Sequence, residues 1–166
     1  MMKKLLFLLA TLCFAACQQP QKQYFEASAE IDIIKKVYFP SFLSQDWIAF
    51  RSIYADSTKL ADNTWDMGKF INNDQHIESE KAAHANFTDM KIGDDASYQM
   101  IITDKGETWV SVWFNFSAKT KEGVEVNLAV HESFRFVDGK IVFQANFYDS
   151  LPLYLALTPA DSVVKK

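Results

Sequence analysis

The sequence predicts an α+β fold, an antiparallel sheet packed on three N-terminal helices. Two observations predict it. Apolar residues recur every three or four positions in the first half of the chain and every second position in the second half. The helical stretches also precede the strands rather than alternating with them, which argues against a parallel α/β sheet.

The first helix starts after Ser28, a residue type that caps helix N-termini. Ile31, Ile34, Tyr38 and Phe42 then fall on one face. Pro40 lacks a backbone N–H and is expected to kink or end this helix. Asp46 caps a second helix, with Trp47, Phe50 and Tyr54 on one side. A third is expected from Asn73 or Asp74 to about Met90, through Ile77, Ala83 and Phe87. Residues 57–68 between them read as loop or short strand.

Three segments of period two follow, 108–118, 124–137 and 140–149. Asp138–Gly139 is a two-residue hairpin signal and predicts the pairs Phe136–Ile141, Phe134–Phe143, Glu132–Ala145 and Leu128–Asp149. The preceding turn, near 120–123, predicts Val110 opposite Glu132 and Val112 opposite Val130. One face then carries Val110, Val112, Phe114, Phe116, Val126, Leu128, Val130, Glu132, Phe134, Ile141, Phe143, Ala145, Phe147 and Asp149. It is apolar apart from two acids and is expected to pack on the helices. Glu132 is the exception within it. A carboxylate inside an apolar surface either takes up a proton or finds a partner. The other face carries Trp109, Trp113, His131, Asn146 and Tyr148. An exposed aromatic patch of this kind predicts a partner surface, here a homodimer. Ser111, His131 and Asn146 lie in a row on it, but flat neighbouring strand positions supply neither an activated serine nor an oxyanion site.

The chain has 166 residues, 17 Lys and Arg against 21 Asp and Glu, and is 49% hydrophobic. That is enough for one domain with a real core. The acidic balance, without a basic cluster, excludes nucleic acid as an expected partner. Five glycines form no phosphate-binding pattern. His76, His84 and His131 lack ligand spacing, so no metal is expected, and no cofactor.

The N-terminus reads as export. Lys3 and Lys4 precede an apolar run, residues 5–16, too short to span a bilayer, which takes about 20 residues. The run ends Ala15–Ala16–Cys17, which resembles the lipobox of bacterial lipoproteins, where the cysteine becomes the acylated first residue. Cys13 leaves with the signal, so Cys17 is then the lone cysteine and lipidation gives it a role. The expected organisation is a signal peptide at 1–16, a tether at 17–26, a domain at 27–150 and a tail at 151–166. Expected partners are the bilayer, through acylated Cys17, and a small apolar or amphipathic ligand. The expected location is a bacterial membrane, facing the periplasm or the cell surface.

Two further runs carry a resemblance. Residues 54–62, YADSTKLAD, look like the YADD-x-x-x-x-D run, and residues 134–141, FRFVDGKI, look like the hairpin of the nuclear transport factor two-like superfamily. The similarity is to its SnoaL-like and ketosteroid isomerase branches and covers roughly residues 27–150. It implies a cone-shaped fold, a curved sheet around helices with a pocket between. It also implies roles. Asp62 stands at the isomerases' general base, Glu132 at their protonated oxyanion acid, and Tyr38 at their second oxyanion donor. Glu replaces the family's Asp at 132, about one methylene longer. Trp47, Tyr54, Trp65, Val112, Phe114, Val130, Ala145, Phe147 and Asp149 are the expected pocket lining. Both runs mark the fold more sharply than the chemistry. The expected function is a membrane-anchored small-molecule-binding domain, with an isomerase, cyclase or hydratase as the alternative.

Overall fold

A computed structural model describes residues 24–158; the expected signal peptide, Cys17, most of the expected tether and residues 159–166 lie outside it. The first helix is one rod in three parts. Helix α1, Ala29–Ile33, is capped by the Ser28 side chain, which accepts from the Ile31 amide. A π segment follows, Ile34–Tyr38, in which the Phe39 amide reaches back to the Ile34 carbonyl. The rod resumes as α2, Phe39–Ser44, with Pro40 in its first turn. Pro40 has no N–H to offer the preceding turn, and the rod runs on past it to Ser44 rather than ending there. Helix α3, Trp47–Ser52, is capped by Asp46. Helix α4, Asn73–His84, starts with a capping box between Asn72 and Gln75.

Eight strands form one curved sheet among the described residues. They are β1 Tyr24–Phe25, β2 Tyr54–Asp62, β3 Ile71–Asn72, β4 Phe87–Ile92, β5 Ser97–Ile102, β6 Thr108–Thr120, β7 Glu125–Val137 and β8 Lys140–Tyr148. The order is β1-β5-β6-β7-β8-β2-β3, and β4 pairs with the far half of β6. The sheet is mixed rather than purely antiparallel, because β2 runs parallel to β8. The YADD-like run forms this strand, one of the two alternatives expected for residues 57–68. A short helix α5, Leu151–Leu157, begins the expected tail. Tyr24 and Phe25, expected in the tether, pair with β5.

Helix α4 ends six residues before Met90, and β4 takes over. The spacing of three from Phe87 to Met90 suggests a helix but comes from a bulge. The β4–β6 register shifts between Thr88 and Lys91, and Asp89 sits at φ 53°. The bulge leaves Phe87, Met90 and Ile92 all facing the interior.

The β6–β7 faces are as expected, with pairing displaced by two residues: Val112 opposes Glu132 and Val110 opposes Phe134. An even displacement preserves every side chain's face. The β7–β8 hairpin starts as expected, with Val137–Lys140 and Phe136–Ile141, but Val142 is an extra residue. Beyond it Arg135 opposes Phe143, Phe134 opposes Gln144, and Glu132 opposes Asn146. This one-residue bulge turns over the rest of β8. Gln144, Asn146 and Tyr148 therefore share the concave side with Glu132, while Phe143, Ala145 and Phe147 share the outer side with His131 and Ser133. The core lies between the π-containing rod and the concave face. Ile31, Ile34, Phe50, Val110, Val112, Phe134 and Ile141 are fully buried there. Tyr38 packs edge-on against Phe134 at 5.0 Å, and Phe39 against Phe114 at 5.0 Å.

Candidate functional site

The wide end of the cone is not filled. A cavity of about 180 Å³ lies between α2, α4, β4 and the concave face. Its walls are mostly apolar: Phe39, Phe42, Phe87, Met90, Phe114, Phe116, Leu128, Val130 and Leu153. Tyr38, Asp62, Glu80, His84, Glu132, Asn146 and Tyr148 add polar atoms. Among the described residues no Lys or Arg lines it, and no group of three or more His, Cys, Asp or Glu is arranged to hold a metal ion.

Glu132, in the middle of β7, is only 7% exposed. The Tyr38 hydroxyl donates to its Oε1 at 3.2 Å. Gln144 Nε2 donates to the Tyr38 oxygen at 3.0 Å, and the Tyr54 hydroxyl donates to Gln144 Oε1 at 2.6 Å. The chain Tyr54–Gln144–Tyr38–Glu132 thus has a fixed direction. Glu132 Oε2 is buried without a hydrogen-bond partner. Burial pushes the carboxyl up to about 8, against the pull of the Tyr38 hydrogen bond, with nearby Glu80 and Asp62 raising it further. Below that pH the acid is neutral. Because Oε1 already accepts, the proton belongs on Oε2, where no acceptor among the described residues meets it.

Two further acids share the cavity. Glu80, on α4, is raised to about 7 by burial and by Asp62. Its neighbour His76, 3.6 Å away through Nδ1, is held down to about 4 by burial and is neutral at pH 7, so the contact is not an ion pair there. Asp62, at the end of β2, stands at the exposed mouth. Burial of its carboxyl group raises it, opposed by the Tyr148 hydroxyl, which donates to Oδ2 at 3.4 Å. Tyr148 is itself pushed up to about 12, by burial first and then by Asp62.

Tyr38, Asp62 and Glu132 therefore line one cavity, together with Phe114 and Val130 from the expected lining. The other expected lining residues lie elsewhere. Val112 is fully buried core. Trp47 and Tyr54 border a separate groove between α3 and α4, and the Tyr54 hydroxyl is engaged by Gln144. Trp65 is 66% exposed and packs against Phe143 and Phe147 on the outer side. Ala145 and Phe147 point outward because of the Val142 bulge. Asp149 lies beyond β8, and its Oδ1 accepts from the Leu151 amide. The same bulge removes Asn146 and Tyr148 from the outer face and makes them cavity wall. Trp109, Trp113 and His131 remain outside. Trp113 stacks on His131 at 3.9 Å, and His131 Nε2 lies 2.6 Å from Ser111 Oγ. Asn146 is on the opposite side of the sheet, so no Ser–His–Asn row exists.

Sequence reasoning missed Glu80, Gln144 and Leu153. Glu80 lies in the charged run 78–81, which reads as a solvated surface. Its spacing was the available signal. It is three residues after Ile77 and four before His84, on the buried side of α4.

No family model matches the sequence, and no curated protein matches it. Solved structures do. A nuclear transport factor two-like protein of unknown function from Burkholderia pseudomallei superposes with a TM-score of 0.62 at 15% identity, over 80% of this chain and 99% of that one. A protein described as a SnoaL-like polyketide cyclase from Shewanella denitrificans gives 0.61 at 13%, over 79% and 98%. A protein with a ketosteroid isomerase-like fold from Catenulispora acidiphila, in complex with trimethylamine, gives 0.58 at 13%, over 77% and 95%. At such identities the likeness concerns the fold, and with the cone, the mixed sheet and the open wide end it leads to one statement: this chain has the nuclear transport factor two-like fold.

Proposed function

We propose that the domain binds a small apolar or amphipathic molecule in the cavity, at a bacterial membrane to which acylated Cys17 anchors it. The observation that carries this reading is Glu132 Oε2. It is a buried polar atom without a partner among the described residues, on a side chain that lines an aromatic-walled cavity, and an unsatisfied buried group costs about 1–3 kcal/mol. A ligand atom that satisfies it recovers that free energy. Apolar walls with a few convergent polar groups are the usual make-up of a small-molecule site. A relative of this fold holding trimethylamine supports the same reading. Native mass spectrometry of the full chain, extracted in mild detergent, tests it. A co-purifying small molecule that is lost on Val130→Trp, which fills the cavity, is the expected result. Unliganded protein in every preparation would overturn it.

A second reading, an acid–base enzyme, is favoured by one observation. The direction of the Tyr54–Gln144–Tyr38–Glu132 chain leaves the Glu132 proton undonated, on a residue that lines the cavity Asp62 borders. In that reading Glu132 donates to a developing oxyanion and Asp62 is the base. Tyr38 acts through Glu132 rather than on the ligand, since its only proton is already donated. Solvent-deuterium exchange at the carbon next to a ligand carbonyl, abolished by Asp62→Asn, is the test.

A further inference from the structure

The cavity has an unusual charge balance. Three carboxyl groups, Asp62, Glu80 and Glu132, line it, and among the described residues no lysine or arginine does. The nearby cations are engaged elsewhere. Lys35 sits over the Tyr98 ring at 4.4 Å. Arg51 pairs with Asp56 at 2.7 Å and Asp74 at 3.6 Å. His84 is in the cavity wall itself, but both its ring nitrogens are turned to backbone carbonyls, of Glu80 and Phe42, at 2.9 Å. Independently of the acids as a group, Glu132 Oε2 is buried with no partner. Around these groups stand the rings of Tyr38, Phe39, Phe42, Phe114, Phe116 and Tyr148.

Resting on the binding reading above, we infer that the cavity selects a small protonated amine, with Glu132, Glu80 and Asp62 around its ammonium group and the aromatic rings around its apolar body. An anionic ligand would oppose the ionisation of all three acids in a weakly solvated space where no Lys or Arg among the described residues lines the wall to meet it, an arrangement that costs binding energy. A cation relieves the repulsion among the acids, gains charge-assisted hydrogen bonds and meets ring faces suited to cations. The volume limits the occupant. About 180 Å³ is below the ~300 Å³ at which drug-sized pockets begin, so a compact amine, or the head of a longer one, fits.

The proton balance gives the inference its signature. Lining the cavity with Glu132 or coupled to it are Tyr38 from the π segment, Tyr54 and Asp62 from β2, Glu80 and His84 from α4, Tyr98 from β5 and Tyr148 from β8, with His76 beside Glu80. Of these acids Glu132 and Glu80 hold protons near neutrality, at about 8 and about 7. An ammonium group beside them favours their charged forms. Binding therefore expels protons, and affinity rises with pH from about 6 to about 8 by linkage. A ligand that takes the Glu132 proton as a hydrogen bond has the opposite dependence.

Isothermal titration calorimetry of the full chain tests this with three size-matched probes, 2-phenylethylamine, 2-phenylethanol and 3-phenylpropionate, at pH 6 and pH 8. The amine is expected to bind about tenfold or more tighter than the alcohol, to tighten with pH and to release protons. Glu132→Gln keeps the shape and removes the ionisation. It should lower amine affinity and flatten its pH dependence, and Glu80→Gln should do so in part. Binding of the alcohol or the acid as tight as the amine, or amine affinity that falls with pH, overturns the inference and leaves the binding reading standing. Failure of all three probes, with no ligand in native mass spectra, overturns both.

Discussion

Replacing Glu132 by Gln has a stability consequence that can be worked out from the structure alone. The carboxyl titrates at about 8 in the folded protein against an ordinary 4.5. Below pH 4.5 both folded and unfolded chains hold the proton and nothing is lost. Between 4.5 and 8 the unfolded chain gives up its proton and the folded one does not, so the unfolded state gains. Wild-type stability therefore falls by about 1.4 kcal/mol for each pH unit, a total on the order of 5 kcal/mol by pH 8. Gln has the same shape, still accepts from Tyr38 and does not titrate. Glu80, raised to about 7, adds its own decline, but it is present in both proteins and largely cancels in the difference. Urea unfolding followed by tryptophan fluorescence at pH 5, 6, 7 and 8 reads that difference. The stability of Glu132→Gln relative to wild type should climb by about 1.4 kcal/mol per unit across this range. Parallel curves, or a Glu132 carboxyl resonance with its midpoint near 4.5, would refute the buried neutral acid and the fixed direction of its hydrogen-bond chain.

Three other outcomes are expected. Tyr38→Phe removes the donor to Glu132 and leaves an oxygen unsatisfied, costing about 1–3 kcal/mol in urea unfolding, and should raise the Glu132 midpoint, because that hydrogen bond holds it down. Cys17→Ser should move the protein from the membrane fraction to the soluble one or leave it unprocessed, and intact mass should show an acylated wild type. Trp113, 54% exposed on the outer face and stacked on His131, is expected at a two-fold interface. Trp113→Glu should then sediment as a monomer where wild type sediments as a dimer at tens of micromolar, an order at which standard-size interfaces are usually formed.

The legible parts of this fold were those with one buried face. In β6 and β7 apolar and polar residues alternate cleanly, so the faces were readable even where the pairing was displaced by two. Ser28 and Asp46 announced their helices, since a side chain that caps does so locally. In β8 the signal broke. Ile141, Val142 and Phe143 are three apolar residues in a row, and Trp65, Trp109 and Phe70 cover Phe143 on the outside. With apolar contacts on both faces the alternation loses its phase, and the bulge is invisible. Asn146 and Tyr148 then read as outer residues and Ala145 and Phe147 as lining. Of the site, Tyr38, Asp62 and Glu132 were legible through phase and resemblance. Glu80 was hidden by the charged residues beside it, and Gln144 by the bulge.

The extra residue at Val142 has a consequence for how such a cavity changes over time. Because it sets the phase of everything after it in β8, losing one codon there would exchange two sets of side chains at once. Gln144, Asn146 and Tyr148 would leave the interior, and Phe143, Ala145 and Phe147 would enter it. No series of single substitutions makes that exchange without passing through mixed linings. Cavity polarity on this strand is thus inherited as a count of residues rather than as their identities. Two chains that look alike when β8 is compared without a gap can enclose opposite chemistries.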